Sequence, residues 1–267
     1  MPPASKREYA IEVQNLDAHY GERHILKNVS LNVHQGEIMV IMGGSGSGKS
    51  TLLRHLLGLN TPTQGKIKLL GIDITQSSEH EMFELRKKMG VAFQGGALFG
   101  SMTVEENVVL PLCEHTELDE NTMRIMGRMK LEVVNLAGFE HLMPSELSGG
   151  MIKRTALARA IIMDPRLLFF DEPSAGLDPV AAVELDELIL RLRQVMHITI
   201  VVVTHELESA FKIADRITVL DQGAILITDT VDAVRNSDNP RIQSLLNRLP
   251  RDNAIDADEY MERLTGN

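Results

Sequence analysis

The sequence is poor in cysteine: Cys113 stands alone among 267 residues, so no internal disulfide can form, which suits a reducing compartment. Its surroundings, "VVLPLCE", are apolar, and the expectation is a small buried side chain rather than a nucleophile. No apolar run approaches the ~20 residues that a bilayer-spanning helix needs, and the first residues, "MPPASKREYAIEV", lack the apolar stretch of a secretory signal. Basic residues are the minority. The 27 Lys and Arg against 37 Asp and Glu leave a formal net charge of −10, which argues against a nucleic-acid partner, because phosphate backbones are held by concentrated Lys and Arg. There is no heptad run, internal repeat or long low-complexity linker. These absences lead us to expect a chain that is soluble by itself and works in the cytoplasm.

What is present reads as an α/β protein. With 43% apolar and 24% charged residues the composition is that of an ordinary globular chain, long enough for one large domain or two lobes. Period-2 alternation in "AIEVQNL" and "ILKNVSLNVH" predicts strands, punctuated by Gly21 and Gly36. "EIMVIM" is apolar on both faces and leads through a glycine-rich loop into the helical pattern "KSTLLRHLLGL", the mark of a parallel sheet covered on two sides. "RLLFFD" and "ITIVVVTH" predict more buried strands. Between about Ile72 and Pro144 the pattern turns helical, in "EHEMFELRKKM", "TVEENVVLPLC" and "DENTMRIMGRMKLEVVNLAG". Met123, Met126 and Met129 are expected to pack as a core stripe, and Thr103 with Glu106 has the spacing of a capping box.

Five stretches carry chemistry. "GGSGSGKST" comprises Gly43, Gly44, Ser45, Gly46, Ser47, Gly48, Lys49, Ser50 and Thr51, and it matches G-x-x-x-x-G-K-[ST]. Backbone N–H groups of such a loop cradle phosphate, the lysine neutralises it, and Ser50 is placed to ligate Mg²⁺. In "LLFFDEP" two acids end an apolar strand. Asp171 is expected to hold Mg²⁺, and Glu172, pointing the other way along the strand, to polarise a water aimed at the γ-phosphate. His205, ending "VVVTH", is placed to hydrogen-bond that phosphate, and Gln94 in "VAFQGG" to reach Mg²⁺ or the attacking water. In "LSGGM", Leu147 to Met151, Ser148, Gly149 and Gly150 open a helix whose free N–H groups and dipole suit an anion.

Taken in chain order, Tyr20 in "HYGERHILKNVS", the phosphate loop, Gln94, "LSGGM", Asp171 with Glu172, "SAGLD" from Ser174 to Asp178, and His205 resemble the ATP-binding-cassette (ABC) ATPases over nearly the whole chain. That resemblance implies a P-loop NTPase fold with a RecA-like parallel core, an antiparallel β subdomain and a helical subdomain inserted at about residues 95–162. It implies ATP and Mg²⁺ as cofactors, Tyr20 stacked on adenine, and Asp178 among the nucleotide-binding residues. It also implies a homodimer joined head to tail, with each ATP between one chain's phosphate loop and the other's signature. The family's signature usually ends in Gln where this chain has Met151. The Ser148 hydroxyl and the Gly149 and Gly150 N–H groups need no amide there, so a working ATPase is expected.

"FQGGALFGSMTVEENVVLPL", with "KRTALARAI" and "DEPSAGLDPV", narrows the resemblance to the ATPases of Mce-associated lipid transporters. The resemblance implies a separate transmembrane permease, a substrate-binding Mce-domain protein and a small STAS-domain protein as partners. It implies glycerophospholipid moved between inner and outer membranes of a Gram-negative bacterium, with the ATPase on the cytoplasmic face of the inner membrane. The helix capped by Thr103 is expected to rim the groove for the permease's coupling helix. The alternative is a soluble single-cassette ATPase acting in cofactor or complex assembly. Residues 1–250 are expected to form the ATPase domain and 251–267 a C-terminal extension. There Ile255, Tyr260, Met261 and Leu264 include an apolar set at helical spacing that would dock across the dimer.

Overall fold

The computed structural model describes residues 8–249. Strands β1 (Tyr9–Tyr20) and β2 (Arg23–His34) form an antiparallel hairpin, turned by Gly21, whose φ of 59° glycine reaches without a Cβ penalty. Ile11, Val13, Leu16 and Ala18 on one strand, and Leu26, Val29, Leu31 and Val33 on the other, are buried. Strand β3 (Ile38–Met42) is buried at every position and belongs to the middle of a different sheet. Helix α1 (Lys49–Leu56) follows. Strands β4 (Gln64–Leu69) and β5 (Ile72–Asp73) then complete an antiparallel sheet in the order β2-β1-β4-β5.

The rest of the chain builds a parallel core. In order come α2 (Glu79–Arg86), β6 (Met89–Ala92), α3 (Val104–His115), α4 (Glu120–Val133), α5 (Gly149–Ala160), β7 (Leu167–Asp171), α6 (Pro179–Met196) and β8 (Thr199–Thr204). They are followed by α7 (Leu207–Ile213), β9 (Arg216–Asp221), β10 (Ala224–Thr230), α8 (Val231–Arg235) and α9 (Pro240–Leu246). The second sheet has the order β10-β9-β3-β8-β7-β6, parallel from β9 to β6, with β10 antiparallel at one edge. This is the parallel core with a separate antiparallel sheet that the sequence implied. Among the described residues no helix is long and apolar enough to cross a membrane. The proposed extension, residues 251–267, lies outside the described residues.

Because successive strand side chains face opposite ways, the parallel sheet splits its residues between two cores. Val40, Met42, Leu168 and Phe170 join a core with Val104, Leu157 and Leu188 from the helices, whereas Met39, Ile41, Leu167 and Phe169 join one with Leu52, Leu53 and Leu56 of α1. The second core also takes in the buried face of the antiparallel sheet. Helices α3, α4 and α5 fill the chain between β6 and β7 and pack on one another. The expected capping box is present: Glu106 N–H donates to Thr103 Oγ1 at 3.2 Å and Thr103 N–H to Glu106 Oε2 at 2.7 Å. Asn107, fully buried, pins the loop before α3, since Nδ2 donates to the carbonyls of Phe99, Met102 and Thr103 while Oδ1 accepts from Phe99 N–H.

Two expectations need correction. Cys113 is exposed, with Sγ 3.7 Å from Met123 Sδ. Helix α3 turns Val104, Val108 and Leu112 inward, and one further residue rotates the next side chain by about 100°, which carries Cys113 off that face. The methionine stripe holds only in part: Met123 and Met126 pack against the core, but Met129 is 60% exposed. Steps of three residues fall short of a full turn by about 60° each, so the third methionine has rotated away.

Phe170 contributes to the core on the helical side of the sheet and is 1% exposed. Phe170→Ala is expected to lower unfolding stability by about 3–5 kcal/mol, measured by denaturant titration; a loss below about 1 kcal/mol would show that this face is not close-packed.

Candidate functional site

The phosphate loop joins β3 to α1, and two of its glycines, Gly43 and Gly48, stand where a Cβ would collide. A Cβ on Gly43 would lie 2.0 Å from the Leu220 carbonyl oxygen, and one on Gly48, at φ 105°, 2.8 Å from Leu26 Cδ2. Gly46, at φ 72°, instead faces open space. Gly48 is the N-cap of α1 and provides no side-chain acceptor, and no acidic residue occupies the first turn. The first N–H groups of α1 are therefore left for an anion. The Ser47 hydroxyl, on a residue 1% exposed, is buried without a hydrogen-bond partner, an orphan that a ligand in the loop would satisfy.

Lys49 is 9% exposed and donates to the carbonyls of Gly43 at 2.8 Å and Gly44 at 3.1 Å. Burial lowers its pKa, against the attraction of Glu172 and Asp171. Ser45 and Ser50 are exposed and Thr51 is half-buried. Asp171 ends β7, and its pKa is raised, first by burial and then by Glu172, with Lys49 and Arg54 opposing. A carboxylate disfavoured in this way gains from a cation. Ser50, Gln94 and Asp171 supply hydroxyl, amide and carboxylate oxygens, the hard donors that Mg²⁺ takes. The residues present therefore fit ATP with Mg²⁺.

Glu172 is not oriented as strand alternation implies. It lies beyond β7 at φ 49°, left-handed for a non-glycine residue, a conformation that costs on the order of 1 kcal/mol and persists where the surroundings enforce it. Its N–H donates to Val203 O at 2.8 Å. Its carboxylate meets the end of β8: Oε1 lies 2.8 Å from His205 Nδ1, while Oε2 accepts from the Thr204 hydroxyl at 3.1 Å and from His205 N–H at 3.3 Å. His205 and Glu172 are thus brought into direct contact. Thr204, fully buried, is a site residue that the sequence reading missed, although it adjoins His205.

Gly43, Gly44 and His205 line a cavity of about 100 Å³ with Met42, Leu207 and Val219, and with Leu245 and Leu246 from the end of α9. The signature is not part of that cavity. Ser148 caps α5, its oxygen accepting from Met151 N–H at 3.3 Å, so its hydroxyl proton remains free to donate. Gly149 and Gly150 face open space, and no acid occupies the first turn. The Met151 side chain packs against the core and leaves the anion site uncovered. Asp178 caps α6 through the N–H groups of Val180 and Ala181, both at 3.0 Å. Tyr20 is 46% exposed at the end of β1, and its hydroxyl accepts from Asn60 Nδ2 at 2.8 Å. Gln94 is exposed after β6, on a loop held by Arg159 of α5, whose guanidinium donates to the carbonyls of Gly96 at 2.8 Å and Ala97 at 2.9 Å. Arg159 and Lys153 of α5 were also missed, because basic residues on a helix carry no signal of a backbone target.

A glycine loop opening a helix, a buried lysine inside it, and acids at the end of a parallel strand of the same sheet define a P-loop nucleoside-triphosphatase site. The family model described as "ABC transporter" matches residues 26–175, and the chain belongs to that family. It is an ATPase. Tyr20, Asp178 and His205 lie outside the matched stretch. Among similar proteins, an intermembrane phospholipid transport system ATP-binding protein, MlaF, of Haemophilus influenzae is 44% identical over 88% of this chain and 89% of its own. A probable ribonucleotide transport ATP-binding protein of Mycobacterium leprae is 40% identical over 89% of this chain and 69% of its own. A dimeric ATP-binding cassette in a post-hydrolysis state, bound to ADP and Pi, superposes with a TM-score of 0.77 at 32% identity, covering 83% of this chain and 98% of that one.

Gly43→Ala is expected to displace the loop from Leu220 and to weaken ATP binding by about tenfold or more, equivalent to about 1.4 kcal/mol. Titration with a fluorescent ATP analogue measures it; unchanged affinity would mean that the loop tolerates a Cβ there.

Proposed function

We propose that this chain is the motor subunit of a phospholipid transporter, in which two copies close head to tail around two ATP molecules and drive a separate permease. The observation that carries the dimer is the place of the signature. Ser148, Gly149 and Gly150 form an open anion site on α5 that does not line the cavity beside their own phosphate loop, so the reading assigns them to a second chain's γ-phosphate. The similarity to a cassette solved as a dimer supports it.

In this reading Tyr20 stacks on the base, the loop's N–H groups and Lys49 hold the phosphates, and Asp178 and His205 complete the nucleotide's surroundings. Ser50, Gln94 and Asp171 would hold Mg²⁺, which when bound neutralises charge on the phosphate oxygens. Glu172 accepts a proton from the attacking water or orients it, with His205 fixing the carboxylate. Little covalent assistance is needed, because phosphoryl transfer passes through a loose transition state that is served by positioning and charge neutralisation. Closure over ATP and reopening after hydrolysis shift the permease between states to the extent that the two dimer states differ in affinity for ATP.

The cargo is read from relatives, since the ATP site touches none of it. The MlaF relative and this chain cover nearly all of each other, which favours phospholipid over the ribonucleotide in the mycobacterial protein's name. The partners proposed are the permease, a substrate-binding Mce-domain protein and a small STAS-domain protein, with the ATPase on the cytoplasmic face of the inner membrane. The helix capped by Thr103 would rim the permease's docking groove.

The test is to purify the chain with its membrane partners, then to assay bound lipid and ATP turnover. Recovery of a permease and an Mce-domain protein carrying phospholipid is expected, with turnover falling about 10²-fold or more in Glu172→Gln. Recovery of soluble partners alone would replace the transporter with an assembly ATPase. Turnover in Glu172→Gln equal to wild type would remove Glu172 from catalysis.

A further inference from the structure

We propose that Lys153 is a positioning residue for Glu172, and that it ties this chain's catalytic carboxylate to its own signature helix. The proposal rests on the reading of Glu172 as the residue that acts on water. Lys153 lies on α5, and its ammonium donates to the Glu172 carbonyl oxygen at 3.1 Å. Among the described residues it makes no salt bridge, although Glu172 draws on its charge. Burial lowers its pKa, so the half-buried cation is held where only a backbone oxygen receives it.

That backbone oxygen belongs to a residue that needs holding. Glu172 is left-handed at φ 49°, and its side chain is only 12% exposed. From one side β8 grips it through Val203 O, Thr204 and His205. All these contacts reach the Glu172 N–H or the carboxylate, and none restrains the peptide that leaves the residue. The Lys153 bond does so, beside a longer one from Ala175 N–H to the same carbonyl at 3.3 Å, and a hydrogen bond from a cation is roughly twice as strong as a neutral one. Without it the Glu172 carbonyl keeps, among the described residues, only the neutral N–H of Ala175, a weaker hold on a left-handed residue whose carboxylate must stay in place. The same helix begins at Ser148, five residues before Lys153. Lys153 therefore gives α5 a direct hold on Glu172.

Lys153→Met keeps most of the side chain's length and removes the donor, whereas Lys153→Arg keeps a donor. Both would be measured in the purified transporter complex beside Glu172→Gln. We expect kcat to fall about tenfold in Lys153→Met, equivalent to about 1.4 kcal/mol, with the KM for ATP within about twofold and most of the loss recovered in Lys153→Arg. A raised KM at unchanged kcat would overturn the proposal, as would wild-type kinetics in Lys153→Met. Because loss of packing also lowers turnover, ATP affinity is measured in the Glu172→Gln background. Unchanged affinity on adding Lys153→Met supports a positioning role, and a matching loss of affinity makes Lys153 a folding residue and overturns it. An inactive Glu172→Gln beside a fully active Lys153→Met defeats this proposal alone. A fully active Glu172→Gln defeats the reading of Glu172 on which it stands.

Discussion

The register of the parallel ladder is the constraint on which everything else rests. Met42 of β3 stands opposite Thr204 of β8, and Val203 of β8 opposite Asp171 of β7. Three neighbouring strands therefore stop at nearly one level, and the residues that follow them, Gly43, His205 and Glu172, leave the same edge of the sheet. Slipping one strand by a single residue would exchange its two faces and put core side chains at the site. The buried alternation of Val40 and Met42 against Met39 and Ile41 resists that slip, because each set belongs to a different core. Packing energy spent far from the nucleotide thus sets its geometry.

At that edge each charge is kept by its neighbours. Burial weakens the ammonium of Lys49, and the acids Glu172 and Asp171 offset part of this. Asp171 suffers from burial and from Glu172, and Lys49 and Arg54 offset part of this. A site so arranged is primed for a ligand that brings both signs, which a metal-bound triphosphate does. The dense backbone of the loop contributes the rest, since Leu220 O blocks any side chain at Gly43 while Gly46 leaves its own side open.

Most of the fold was legible because its signals are local. A wholly apolar strand, a glycine loop with Lys49 and a capped helix can be read within about ten residues, and each was found in place. The site's orientation was less legible. Strand alternation does not apply to Glu172, because the strand ends at Asp171 and Glu172 is left-handed. Cys113 sits in an apolar run, yet exposure depends on its angle around α3 and not on its neighbours' composition. Lys153, Thr204 and Arg159 were invisible for a different reason: two donate to backbone carbonyls and one to a carboxylate more than thirty residues earlier. A carbonyl has no residue identity, so no pattern announces its partner.

Helix α5 gathers what remains. Its twelve residues span about 18 Å at 1.5 Å each, and along that length Ser148 opens the signature, Lys153 reaches the Glu172 carbonyl and Arg159 holds the loop that carries Gln94. One short helix therefore carries all three contacts. Met151 suits such a rod. Turned inward, it anchors the first turn on the core and lets Ser148 and the two glycines face outward without it. In the proposed reading, an anion drawn to the start of α5 meets the helix that also holds the Glu172 carbonyl through Lys153 and the Gln94 loop through Arg159. On that proposal one helix links the signature to two of the residues assigned to this chain's own nucleotide, Glu172 and Gln94.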